Sequence, residues 1–290
     1  MWWLLAVFFG LMLTVILICS FFERKMLSES LYEAAVKNLP DVLSGTTILF
    51  LSDLHDEKFG DKRALVNALE ENPADILLIG GDMLTVKKGH AMDMSALEEI
   101  LKAFSGKLPI CYALGNHETR MWDKADEFPG WKEAFSLLLL KYQVTVLDNA
   151  SYYLEKEGRR IRISGFTLDR KYYRKGHTEK MSPSVVEDAL GPSLEVPEIV
   201  LVHSPLYGET LHQWGADLVL SGHFHGGTIR LPILGGVMTP QFQFFSPFTK
   251  GEKHFGDTTE IISGGLGTHS IRIRFMNKPD IVRIRLRRKI

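Results

Sequence analysis

Thr46-Thr47-Ile48-Leu49-Phe50-Leu51-Ser52-Asp53-Leu54-His55 sets four large apolar residues directly before a serine, an acid and an imidazole. An apolar run of this length, with Gly45 before it and polar residues after it, predicts a buried β-strand over 48–51. The arrangement recurs along the chain. Ile76-Leu77-Leu78-Ile79 runs into Gly80-Gly81-Asp82, and Tyr112-Ala113-Leu114 into Gly115-Asn116-His117-Glu118. Val200-Leu201-Val202 runs into His203, and Leu218-Val219-Leu220 into Ser221-Gly222-His223-Phe224-His225. Helices are predicted over 61–71, 94–104 and 131–141, and strands separated by helices indicate α/β units. Ligands in open α/β sheets bind beyond the carboxyl ends of the strands, so these polar groups are expected to meet at one edge.

Beyond residue 150 the pattern shortens into β-rich pieces. Residues 151–155 and 160–166 predict a hairpin turning at Glu157 and Gly158. Further strands are expected over 199–202, 218–220, 260–262, 271–275 and 281–286, giving a sheet with antiparallel members. Residues 169–180 are polar and basic, fit neither period, and are expected as an exposed loop or small cap in which Arg170, Lys171, Arg174 and Lys175 interleave with Tyr172 and Tyr173. Arg283, Arg285 and Arg287 alternate with apolar residues, so the last strand presents a basic face to anionic headgroups or protects a sheet edge.

At the N-terminus, residues 1–22 carry no charge, and Glu23, Arg24 and Lys25 follow together. At about 1.5 Å per residue such a run spans a hydrocarbon core of roughly 30 Å. Trp2 and Trp3 suit one interface and Arg24 and Lys25 the other. No basic segment precedes the apolar run, no small-residue cleavage site follows it, and Ile18 is too bulky for a lipoprotein signal ahead of Cys19. One transmembrane anchor over 1–22 is expected, then a juxtamembrane stalk over 23–45 and a catalytic domain over 46–290, on the cytoplasmic side by the Arg and Lys bias. With 290 residues and a formal net charge of -1, there is enough chain for a real core and no global basic footprint of a nucleic-acid binder. Cys19 and Cys111 are too few for a disulfide framework.

Carboxylates and imidazoles gathered at one edge repel one another and resist burial, and a divalent cation relieves both problems. Mixed imidazole and carboxylate ligation without thiolate suits Mn, Fe, Zn or Co. About seven ligands suffice for two ions. Gly81, Gly115 and Gly222 each precede a ligating residue and are expected to let the chain turn sharply there. Of the other histidines, His90, His177, His212 and His254 are expected as surface or core residues, and His269 stays open because it follows the glycine-rich turn of residues 264–267.

D-x-H at 53–55, G-D at 81–82, G-N-H-E at 115–118, the lone His203 and G-H-F-H at 222–225, five motifs in order, resemble the calcineurin-like metallophosphoesterases. Residues 222–232 and 263–267 are similar to a bacterial membrane-associated subgroup that includes UDP-2,3-diacylglucosamine pyrophosphatase-like proteins. The resemblance implies an α/β fold, a four-layer αββα sandwich of two mixed β-sheets flanked by helices. It implies that Asp53, His55, Asp82 and His225 hold one divalent metal ion and Asp82, Asn116, His203 and His223 the other. His117, as an imidazolium, is implied as general acid or transition-state stabiliser rather than ligand. The activity implied is hydrolysis of a phosphoester or pyrophosphate bond in a phosphorylated small-molecule or lipid-linked substrate. Many relatives carry an acid three positions after the bridging Asp, where this chain has Thr85; Asp56 or Glu118 substitutes for it, or His117 is oriented differently.

Overall fold

Ile48, Leu49, Phe50 and Leu51 are all buried, because the strand they form lies in the middle of a sheet covered on both faces, where both sides of the pleat must be apolar. A computed structural model of the chain describes residues 2–59, 64–176, 178–268 and 272–289. The elements run α1 (Trp2–Glu23), β1 (Ser28–Val36), β2 (Thr47–Leu51), α2 (Ala64–Glu70), β3 (Ile76–Ile79), α3 (Ser95–Phe104), β4 (Ile110–Ala113), α4 (Asn116–Asp123), α5 (Trp131–Lys141), β5 (Thr145–Leu147), β6 (Ala150–Lys156) and β7 (Arg159–Phe166). Then come α6 (Pro183–Leu190), β8 (Glu198–Val202), α7 (Gly208–Trp214), β9 (Leu218–Ser221), β10 (Arg230–Leu231), β11 (Gly235–Gly236), β12 (Gly251–Phe255), β13 (Thr258–Ile262) and β14 (Asp280–Arg288).

Among the described residues, two sheets of six strands stack face to face. The first has the order β1-β14-β2-β3-β4-β5 and the second β12-β13-β9-β8-β7-β6. Both are mixed: β14 runs antiparallel to β2, and the second sheet has antiparallel pairs at both edges. One apolar core lies between the sheets, joining Ile48, Phe50, Ile76 and Leu78 to Ile163, Ile199, Leu201 and Leu220. A second fills the space between the first sheet and α2, α3 and α5, and a third that between the second sheet and α6 and α7. The result is the four-layer αββα sandwich expected from the sequence.

The expected stalk over 23–45 is not what forms. Residues 28–36 are β1, which pairs in parallel with β14 along its whole length, and Ala34, Val36, Leu39 and Leu43 are buried in the core between the sheets. The polar alternation of Glu29, Leu31 and Glu33 belongs to one face of an edge strand, with period two. Those acids also answer the arginines of β14. Arg283 is buried, pairs with Glu29 and donates to the Leu69 carbonyl, and Arg287 pairs with Glu33 at 3.1 Å. β14 is therefore an interior strand rather than a sheet edge, with Arg283 buried beside β1 while Arg285 and Arg287 stay exposed.

The 151–155 and 160–166 hairpin forms as expected, with Glu157 and Gly158 both at positive φ. No strand forms over 272–274; Phe275 makes only an isolated bridge to Ile229, and Ile271 lies outside the described residues. The first residues of the predicted 61–71 helix, His177 and His269 also lie outside them. Cys19 and Cys111 are both free.

Candidate metal centre

β2, β3 and β4 of the first sheet and β8 and β9 of the second point their carboxyl ends at one place, and the turns that leave them carry the expected residues. Asp53, His55, Asp82, His203, His223 and His225 are buried there, with Asn116 half-buried at the start of α4. His203 Nε2 lies 3.1 Å from Asp82 Oδ2 and 3.7 Å from Asp53 Oδ1. His55 Nε2 is 3.7 Å from Asp82 Oδ2, and His225 Nε2 is 3.5 Å from Asp53 Oδ1. Donor atoms of Asp53, His55 and His225 lie within 4.8 Å of one another, as do those of Asp82, His203 and His223. A third grouping, His55, Asp82 and His117, joins these two and brings His117 into the cluster.

Two buried acids side by side need cationic charge between them. Burial pushes the Asp53 carboxyl above its ordinary value, against the pull of His203. Burial acts on Asp82 in the same sense, but the neighbouring imidazoles, His203 foremost, hold its carboxyl well below the usual range. Burial opposes protonation of His203, and the two carboxylates nevertheless raise it to about 10. Divalent cations supply this positive charge in place of protons. The Asn116 amide stands among these groups, 3.0 Å from His223 Nδ1 and 3.3 Å from Asp82 Oδ2. The donor set therefore fits divalent metals.

Backbone carbonyls orient the imidazoles. His203 Nδ1 lies 2.7 Å from the Gly80 carbonyl and His225 Nδ1 3.2 Å from that of Gly267, so each ring donates from Nδ1 and turns Nε2 to the carboxylates. His117 is arranged the other way. The Val86 backbone N–H donates to His117 Nδ1 at 2.7 Å, leaving Nε2 as the nitrogen that carries the proton. This corrects the imidazolium expected at His117, since a proton on Nδ1 would face the Val86 N–H.

Neither proposed carboxylate takes the place of the missing acid at Thr85. Asp56 accepts from the Thr85 N–H at 3.0 Å and pairs with His90. Glu118 is buried and accepts from the N–H groups of Asp82, Met83 and Gly115 and from the Tyr112 hydroxyl. It fixes the loop that carries Asp82. The spacing of Gly115 and Glu118, a helix-capping pattern, is the sequence signal that marks this role.

Gly81, at φ 88°, makes the sharp turn expected of it, and several of the expected ligands make such turns themselves. Asp53, His55, Asp82, His223 and His225 all have φ between 46° and 67°, in the left-handed region that Asp and His enter more readily than most residues. Backbone strain of this kind gathers at functional sites. Gly115 and Gly222 are required for space. A Cβ on Gly115 would stand 2.2 Å from Asp82 Oδ1, and one on Gly222 2.3 Å from Asp53 Oδ2.

Residues from three other segments complete the site. A cavity of about 170 Å³ above Asp82, Asn116, His223 and His225 is walled by Arg120, Arg170, Tyr173, Lys175 and Gln241. The expected loop over 169–180 is therefore a cap over the centre, and the Tyr173 ring sits 5.0 Å from that of His223. The glycine turn at 264–267 underlies Asp53: Leu266 and Gly267 donate to the carbonyls of Ser52 and Asp53. Arg274, fully buried, collects the carbonyls of Gly264, Gly265 and Gly267. Its sequence neighbourhood reads as an ordinary strand, so nothing local announces this role.

A family model described as calcineurin-like phosphoesterase matches residues 46–227. The chain is similar to the phosphodiesterase YaeI of Escherichia coli, 24% identical over 242 residues, 82% of this chain and 81% of that protein. It is similar to the uncharacterized metallophosphoesterase YkuE of Bacillus subtilis, 25% identical over 270 residues, 90% of this chain and 86% of that protein. A transmembrane protein with metallophosphoesterase domain from Danio rerio is 28% identical over 267 residues, 88% of this chain and 56% of that protein. The matched span holds every residue from Asp53 to His225 that meets at the strand ends, and the chain belongs to the calcineurin-like phosphoesterase family.

Proposed function

We propose that this metal-dependent phosphoesterase cleaves a phosphoester or pyrophosphate bond in a small or lipid-linked substrate held close to a membrane. The observation that carries the chemistry is the pair of buried triads, Asp53/His55/His225 and Asp82/His203/His223, lying against one cavity. Asp53, His55, Asp82 and His225 would hold one cation and Asp82, Asn116, His203 and His223 the other, with Asp82 shared. Bound there, two divalent cations supply charge neutralisation and water activation.

The chain's own groups do the rest. Arg120, Arg170 and Lys175 line the cavity mouth and are placed to pair with phosphate oxygens. His117, held by Val86 with its proton on Nε2, would give a hydrogen bond to the oxygen of the departing group as a transition-state stabiliser, with solvent water supplying the proton that oxygen takes up. Tyr173 closes one wall and limits water around the phosphoryl group.

The membrane reading rests on α1, 22 residues and about 33 Å long, whose side chains are almost all exposed. Arg24 and Lys25 at its end favour a cytoplasmic catalytic domain. Turnover of bis-p-nitrophenyl phosphate and p-nitrophenyl phosphate by the full chain in detergent with added Mn tests the chemistry. Hydrolysis by wild type that is lost in Asp82→Ala and reduced in His117→Ala supports it. Absence of metal-dependent turnover in wild type would make the chain a metal-stabilised binding protein instead.

A further inference from the structure

Large apolar side chains crowd the surface beside the metal centre without being covered. Ile233, Leu234, Phe242, Phe244, Phe245 and Met276 are all exposed, Ile233 completely so. Four of them, Ile233, Phe242, Phe245 and Met276, also have positive φ, a strained conformation for bulky residues. Exposed apolar groups gathered in this way mark an interaction surface.

Their connection to α1 indicates what covers them. Ser20 Oγ at the end of α1 accepts from the Arg274 N–H at 2.9 Å, and Glu23 accepts from the Asn277 N–H at 3.0 Å, so Met276 projects beside the helix end. Phe275, one residue earlier, bridges to Ile229 and accepts from the Arg230 N–H, at the base of the β10–β11 hairpin whose tip is Ile233 and Leu234. Met238 then bridges to Phe244, and Phe245 donates to Val237. The patch is thus continuous with the point where α1 enters the domain.

Topology puts this face at the metal centre. β1 runs parallel to β14 and so opposite to β2, which places its first residue, and α1 just before it, at the carboxyl edge of β2 where Asp53 lies. The same loop forms a wall of the site. A cavity of about 220 Å³ lined by Met238, Pro240, Phe242 and Ile273 also touches His225 and Arg274.

We infer that residues 232–245 and Met276 form a second membrane contact, an apolar wedge that enters the lipid interface beside α1 and turns the mouth of the metal centre toward the bilayer. This rests on the reading of α1 as a membrane anchor. Apolar loops of this kind settle at the boundary between headgroups and acyl chains.

The test uses the full chain in phosphatidylcholine/phosphatidylglycerol vesicles, with an environment-sensitive fluorophore on single cysteines. Ile233→Cys, Phe244→Cys and Glu157→Cys are made in a Cys19→Ala background, Cys111 being buried. Glu157 turns into the amino end of β7, away from the metal centre, and serves as the control. Brominated lipids are expected to quench the labels at 233 and 244 roughly twofold or more and to leave the label at 157 unchanged. Protein that floats with the vesicles while 233 and 244 stay unquenched overturns the wedge and leaves the anchor standing. Failure to float overturns both. Cross-linking between 233 positions of two chains without lipid quenching assigns the face to a second copy and also overturns the wedge.

Discussion

Val86 donates its backbone N–H to Nδ1 of His117 across 2.7 Å, and this single contact decides which nitrogen faces the substrate. A carboxylate partner would hold a proton on Nδ1 and favour the imidazolium. A backbone N–H excludes that proton and fixes the neutral ring with Nε2–H outward. In ¹⁵N spectra of the selectively labelled protein, His117 is expected to show an unprotonated Nδ1 and a protonated Nε2. His117→Ala should lower kcat by about 10²–10³-fold and leave the number of bound metals unchanged. Loss of a metal along with activity would make His117 a ligand instead.

Glu118 is the support on which Asp82 depends. Its two oxygens accept four donors, so a glutamine there must turn an NH2 group toward two of them. Glu118→Gln is expected to cost about 2–3 kcal/mol in denaturant unfolding and to weaken metal binding about 10–100-fold. A variant with wild-type metal affinity would show that the loop carrying Asp82 is fixed by something else.

How much of this was legible in the sequence depends on range. Apolar runs ending in Asp, Asn or His marked the strands whose ends bring the expected metal residues together, because burial on both faces removes polar residues from a strand until its end. β1 was not legible: its partner lies about 250 residues away in β14, and the acids that complement Arg283 and Arg287 read locally as a polar stalk. Val86 carries no side-chain signal for a contact made by its backbone. The cap showed its basic residues but not its direction, since Tyr173 reaches His223 only once the two sheets are stacked.

Gly115 and Gly222 act through space, which separates them from ordinary turn glycines. Gly115→Ala and Gly222→Ala place a methyl within 2.2 Å and 2.3 Å of the Asp82 and Asp53 carboxylates. Each should reduce kcat/KM by about 10²-fold or more through displacement of one ligand, with unchanged far-ultraviolet circular dichroism. Full activity in either variant would mean that the loops move apart freely.

Glu260 lies in β13, away from the ligands, and burial pushes its carboxyl up to about 8 against the hydrogen bond from Ser221. The folded state therefore keeps a proton that the unfolded chain releases near pH 4.3. Stability from this group is complete below that pH and is lost as pH rises toward 8. Glu260→Gln should raise Tm at pH 8 by several degrees, for about 1–3 kcal/mol, and change it little at pH 4. An equal shift at both pH values would assign the effect to packing rather than to ionisation.

Counting metal on the purified full-length chain tests the central claim most directly. Elemental analysis of catalytically active protein should find two equivalents of a divalent transition metal per wild-type chain. Asp82→Ala should retain one or none and lose hydrolysis with them. Active wild-type protein carrying no transition metal, or Asp82→Ala retaining both ions, would contradict a centre built on a shared Asp82.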